Sequence, residues 1–167
     1  MSTALRYLLI LSTTLTAHFA KAEVPLEATD FEKVILINSD NKTAPPVSYK
    51  IQEGSDYKLI YFWATWCPTC KEKMRHGFDE FKLKGQVDVV LIATEKNEEL
   101  IQNFISREKI TEQIYWDSAK TLTRKLDFDA IPAWYLVHRE KNALVIKAKD
   151  VGFDPEDVLK KLHENIK

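Results

Sequence analysis

Cysteine is nearly absent: the 167 residues hold only two, Cys67 and Cys70. A framework of structural disulfides is therefore excluded, and the composition supports a core that packs without staples. There is no basic excess, with 24 Lys and Arg against 25 Asp and Glu, so nothing marks nucleic acid as a partner. No apolar run reaches the roughly 20 residues that a confident membrane span requires. Repeats, low-complexity tracts and a second-domain boundary are also missing. What is present is ordinary globular material, 45% hydrophobic and 29% charged, of a length suited to one domain and a short appendage.

The appendage is residues 1–22, which have the organisation of an export signal. Arg6 supplies a positive start, Tyr7 to Leu11 begin an apolar stretch, and Ala20-Lys21-Ala22 forms an A-x-A cleavage site. Cleavage is expected after Ala22, leaving a domain over 23–167; the alternative is retention as an N-terminal membrane anchor. No cysteine follows the segment, so lipoprotein attachment is excluded. Without residues 1–22 the chain keeps 22 basic against 25 acidic residues.

Hydrophobic patterning gives the order of elements in the domain. Val34–Ile37 and the alternating Val47, Tyr49 and Ile51 read as an N-terminal β-hairpin. Leu59–Ala64 and Val87–Ala93 read as strands buried on both faces. Between them Cys70, Met74, Phe78 and Phe81 make one helical stripe. Glu98–Glu108 is expected to be a helix with Leu100, Ile101, Phe104 and Ile105 inward, and Ser118–Leu126 a shorter one. Ile131-Pro132 opens a strand, Val145–Val151 forms an edge strand with Lys147, Lys149 and Asp150 blunting it, and Asp154-Pro155 starts a last helix. The expected fold class is α/β, a mixed central sheet with helices on both faces.

Cys67 and Cys70 sit where the first buried strand gives way to its helix. A disulfide spanning so few residues adds little stability by restricting the unfolded chain, so its value is chemical. Cys67 at the helix start faces unpaired N–H groups and the positive end of the helix dipole, which favour a thiolate. It is expected to be the exposed attacking sulfur, and Cys70, on the inward stripe, the resolving one. An inert disulfide and a pair of zinc ligands are the blander alternatives; zinc normally takes four protein ligands, and His76 projects off the cysteine face.

The segment Phe62-Trp63-Ala64-Thr65-Trp66-Cys67-Pro68-Thr69-Cys70 resembles the active-site segment of the thioredoxin superfamily, and its lead-in is similar to the exported TlpA/ResA-like branch. Ile131-Pro132 matches that superfamily's cis-proline position, and the resemblance in order of elements covers about residues 30–166. It implies a thioredoxin-like fold, thiol–disulfide exchange through a redox-active Cys67–Cys70 disulfide, and no separate cofactor or metal. It also implies that the Ile131 backbone pairs with an extended substrate beside Pro132. Trp66, Pro68 and Thr69 join these two as expected substrate contacts, while Trp63 belongs to the buried layer. Three departures stand out. Thr69, not proline, precedes Cys70; Tyr61 replaces the buried aspartate of cytosolic thioredoxins; and Lys73 stands where the branch often has a glutamate. No proton acceptor for Cys70 is named.

The expected function is a monomeric periplasmic oxidoreductase that reduces or exchanges disulfides of exported proteins, cytochrome c maturation being one setting the resemblance suggests. Its partners would be those substrates and an upstream thiol redox protein, membrane-bound or soluble. A disulfide-forming oxidase is the runner-up, and a soft-metal chaperone using both cysteines for an ion such as Cu(I) is the reading from a different class.

Overall fold

The computed structural model describes residues 25–37, 53–76, 78, 81 and 87–166. The proposed leader 1–22 and the second hairpin strand around Val47–Ile51 lie outside the described residues. The elements are β1 (Leu26–Glu27), a 3-10 turn (Ala28–Phe31), β2 (Ile35–Ile37), β3 (Tyr57–Trp63), α1 (Pro68–His76), β4 (Val87–Ala93), α2 (Glu98–Glu108), β5 (Ile114–Trp116), α3 (Thr121–Leu126), β6 (Ala133–Glu140), β7 (Ala143–Val151) and α4 (Pro155–Asn165).

The strands form one sheet in the order β1-β7-β6-β3-β4-β5-β2. β3 runs parallel to β4, which runs parallel to β5, because helical crossovers separate them. β6 lies antiparallel to β3 and forms a hairpin with β7. This is the thioredoxin-like α/β fold, with β3 at the centre and helices on both faces.

Alternation along β3 divides the core. Leu59, Tyr61 and Trp63 face a layer made by α1, α2 and α4, with Met74, Phe104 and Leu162 among its members. Ile60 and Phe62 face the other layer, with Leu122, Tyr135 and Phe31. Lys58 shares the second face and is fully buried, an outcome the strand reading from Leu59 did not include. Its ammonium donates to Asp88 Oδ2 on the neighbouring strand at 2.6 Å and to the carbonyl of Glu53. Gly54, at φ +72°, lets the chain pass close by: a Cβ there would run into Asp88 Oδ2.

Several expectations need correction. β2 pairs with β5, a partner the sequence did not indicate, in the register Ile35↔Trp116; its expected hairpin neighbour lies outside the described residues. The three-residue β5 and two-residue β1 were not anticipated, being too short for a periodic signal. Leu100 is 47% exposed; Ile101, Phe104 and Ile105 alone carry the inward face of α2. The short helix starts at Thr121 rather than Ser118, because buried Asp117 accepts from Thr121 N, Thr123 N and Thr123 Oγ1 and fixes the first turn there. α1 ends at His76, and Phe78 and Phe81 reach the core from the turn beyond it. The expected edge strand, by contrast, agrees: among the described residues β7 is an edge from Val145 onward, since β1 covers only Ala143 and Leu144.

α1 is tied to α2 by Arg75 Nε, which donates to Glu108 Oε2 at 2.8 Å. Hydrogen bonds from Arg75 and then Arg107 hold the Glu108 carboxyl down at about 2, against an ordinary 4.5. The folded-state value lies below the unfolded one. The tie therefore contributes in full above about pH 4.5 and is lost as the pH falls through 2. Arg75→Ala is expected to flatten the acid limb of a plot of melting temperature against pH. Equal acid slopes in variant and wild type would refute this role.

Candidate active site

The chain leaves β3 at Trp63 and turns back at once: Cys67 N donates to Ala64 O at 3.2 Å. Cys67 is then the residue that caps α1. Lys71 N donates to Cys67 O at 3.0 Å, the first helical bond, and Cys70 N donates to Cys67 Sγ at 3.2 Å. A sulfur thus occupies the place of the side-chain oxygen that usually caps a helix. Pro68 falls on the first helical position, where its missing N–H is no loss and its fixed φ suits the helix. That explains why proline follows the first cysteine here.

Cys67 and Cys70 are joined, with Sγ atoms 2.09 Å apart and Cα atoms 5.2 Å apart. Cys70 is completely buried against the core and Cys67 is 3% exposed. Both sulfurs are thus buried, and Cys67 is not the openly exposed sulfur that its position suggested. The turn that makes it a cap also draws it beneath the surface. Thr69 Oγ1 stands 3.5 Å from Cys67 Sγ, and the carbonyl of Ile131 lies 4.0 Å from it on the other side.

The Ile131-Pro132 peptide bond is cis, and Gly152 N donates to Pro132 O at 2.7 Å, tying this loop to the end of β7. Ile131 is half-buried and Pro132 buried. Trp66 is 67% exposed directly before Cys67, while Trp63 is wholly buried. The structure therefore brings Thr69 and Ile131 to the sulfur of Cys67, with Trp66 and Pro68 next to it in the chain and Pro132 next to Ile131.

Tyr61 belongs to the core layer that also holds Cys67 and Cys70. Its ring packs edge-on against Phe78 and Phe153, with centroids 5.1 and 4.9 Å away. Its hydroxyl is buried without a hydrogen-bond partner, and burial pushes that hydroxyl well above its ordinary titration range. Lys73 stacks its ammonium over Phe78, Phe81 and Phe153 at 5.1 to 5.4 Å from the ring centres. Glu72 and His76 are exposed.

Two residues at the site were not singled out in the sequence. Glu95 is 4% exposed, and its Oε1 accepts from Thr65 N at 2.5 Å and Thr65 Oγ1 at 2.6 Å. Its own carbonyl accepts from Trp116 Nε1 at 2.9 Å. The available signal was a carboxylate just past the C-terminal end of a parallel strand, the edge where α/β sheets build their sites. Among the described residues no group of three or more His, Cys, Asp and Glu is placed to hold a metal ion.

Chemically, a capped sulfur at a helix N-terminus, bonded to a buried partner three residues on, is suited to cycling between disulfide and dithiol. Comparison with known proteins gives the same direction. The sporulation thiol-disulfide oxidoreductase A of Bacillus subtilis is 28% identical over 107 residues, which are 59% of this chain and 63% of that protein. The thiol-disulfide oxidoreductase ResA of Oceanobacillus iheyensis is 28% identical over 82 residues, 47% of this chain and 42% of the other. The matched regions thus span about four- to six-tenths of these relatives. Among solved structures, StoA from Bacillus subtilis superposes with a TM-score of 0.57 at 22% identity, covering 78% of this chain and 97% of that one. The N-terminal domain of PilB from Neisseria gonorrhoeae gives 0.62 at 16% identity, covering 84% and 93%. The Redoxin family matches residues 27–164, from β1 to the last turn of α4, and the chain belongs to that family.

Proposed function

We propose that this protein is an exported thiol–disulfide oxidoreductase that reduces or exchanges disulfides in extracytoplasmic proteins. The observation that carries the reading is the Cys67–Cys70 disulfide at the N-terminus of α1, facing the Ile131 carbonyl 4.0 Å away. In the reducing direction the Cys67 thiolate attacks one sulfur of a substrate disulfide. The substrate bond breaks, and its departing sulfur takes up a proton. Cys70 then attacks Cys67 in the mixed disulfide and releases the second substrate thiol. Two electrons have passed to the substrate, and Cys67–Cys70 is a disulfide again, to be reduced by an upstream thiol partner.

Thr69 Oγ1, Cys70 N and the dipole of α1 surround the place where the Cys67 thiolate forms, and each lowers its cost. Trp66, Pro68, Thr69, Ile131 and Pro132 form the surface against which a substrate strand would lie. The A-x-A pattern at Ala20–Ala22 supports export, and the resemblance of the Phe62–Cys70 segment to the TlpA/ResA-like branch suggests cytochrome c maturation as one setting.

Direction is tested by insulin reduction together with equilibration of the couple against glutathione. A reductant should accelerate insulin precipitation and have a potential near the roughly −270 mV typical of thioredoxin. A value near the roughly −120 mV of a strong oxidant would replace this reading with the oxidase.

A further inference from the structure

Glu95 takes no part in the exchange steps, yet it is buried beside them. The Ala64–Thr65 peptide group links it to the reacting sulfur's own backbone. The N–H of that group donates to Glu95 Oε1 at 2.5 Å, and its C=O accepts from Cys67 N at 3.2 Å. Two hydrogen bonds joined by one peptide group place the carboxylate within about 8 Å of Cys67 N. Bonds in such a chain polarise one another, and water is largely excluded from this one.

We propose that Glu95 is a positioning residue that holds the turn into Cys67 and, through its buried charge, biases the Cys67–Cys70 couple toward the disulfide. A negative charge there opposes a thiolate on Cys67. The dithiol is thereby less favoured, and the couple becomes more strongly reducing.

Other charges near the turn are less well placed to do this. Lys71, Glu72 and Lys73 on α1, Lys96 beside Glu95, and Asp127 and Asp129 ahead of Ile131 are exposed or half-exposed. Solvent screens them. Asp117, the other buried carboxylate at this end of the sheet, is occupied by three donors at the start of α3.

The proposal rests on Cys67–Cys70 being the reacting couple, so the test reads that separately. Wild-type protein equilibrated with reduced and oxidised glutathione should show two electrons passing from two glutathione thiols, which join as oxidised glutathione, to the protein disulfide, whose S–S bond opens to a Cys67 thiolate and a protonated Cys70 with one proton released to solvent. Failure of wild type to titrate would sink the functional reading and this proposal with it, whereas a change confined to the Glu95 variants bears on this proposal alone. Glu95→Gln keeps an acceptor for both Thr65 donors while removing the charge. It is expected to shift the equilibrium three- to tenfold toward the dithiol, tenfold being about 30 mV, and to speed alkylation of Cys67 at pH 6 by a similar factor. Glu95→Asp should stay closer to wild type than Glu95→Gln on both measures. An equilibrium and an alkylation rate unchanged in Glu95→Gln would overturn the electrostatic role, whatever happened to stability.

Discussion

Cys70→Ser is expected to convert the protein into a trap. Cys67 would still attack substrate disulfides, but no second sulfur would be present to release them, so mixed disulfides through Cys67 should accumulate. Cys67→Ser should instead abolish turnover to the uncatalysed background and trap nothing, because Cys70 is fully buried. The asymmetry follows from the helix cap: only Cys67 lies at the N-terminus of α1, with Thr69 Oγ1 and the Ile131 carbonyl beside it. Non-reducing gels of the two variants made under export conditions, followed by mass spectrometry of the adducts, would decide it. Adducts on Cys70 rather than Cys67 would reverse the assignment. The trapped species would also identify the substrates.

The largest effect on stability is expected at the Lys58–Asp88 pair. Lys58 has no exposed side-chain surface, whereas the Asp88 side chain is 47% exposed. Removing the carboxylate by Asp88→Ala leaves a buried ammonium with only the Glu53 carbonyl and takes away the acceptor of Ser55 N as well. Breaking one side of a buried pair costs about 3–5 kcal/mol; half-exposure of Asp88 places this one near the lower end, about 3 kcal/mol. Lys58→Met fills the same space without a charge and should cost much less, about 1 kcal/mol. Urea unfolding of the two variants measures this directly. Similar losses in both would mean that the pair acts through packing, not through the uncompensated charge.

The sequence carried the central elements because their signals are long. β3, β4, α2 and α4 each offer seven or more residues of regular pattern, and Asp154 does cap α4 through Glu156 N as its position suggested. Short elements escaped. β5 has three residues, and although Ile35–Ile37 was legible as a strand, its pairing with β5 is tertiary and no local pattern records it. Lys58 escaped for another reason: a lysine reads as an end of burial, and only its register opposite Asp88 makes it tolerable inside. At the site, the two cysteines and Ile131-Pro132 were legible because chemistry fixes their type. Thr65 and Glu95 were not, since a threonine and a glutamate 30 residues apart become meaningful only when two strand ends meet.

One consequence follows from the sulfur that caps α1. In most helices the capping atom belongs to an inert side chain, so the helix end and the chemistry are separate matters. Here a single atom does both jobs. A Cys67 thiolate formed when the S–S bond opens would still have the Cys70 N–H 3.2 Å away in this geometry, and its charge would strengthen the cap as the covalent link is lost. One anchor replaces the other, so the first turn need not unravel between half-reactions. Turnover is then a change of bonding at a fixed point, with little of the backbone's conformational freedom spent on it.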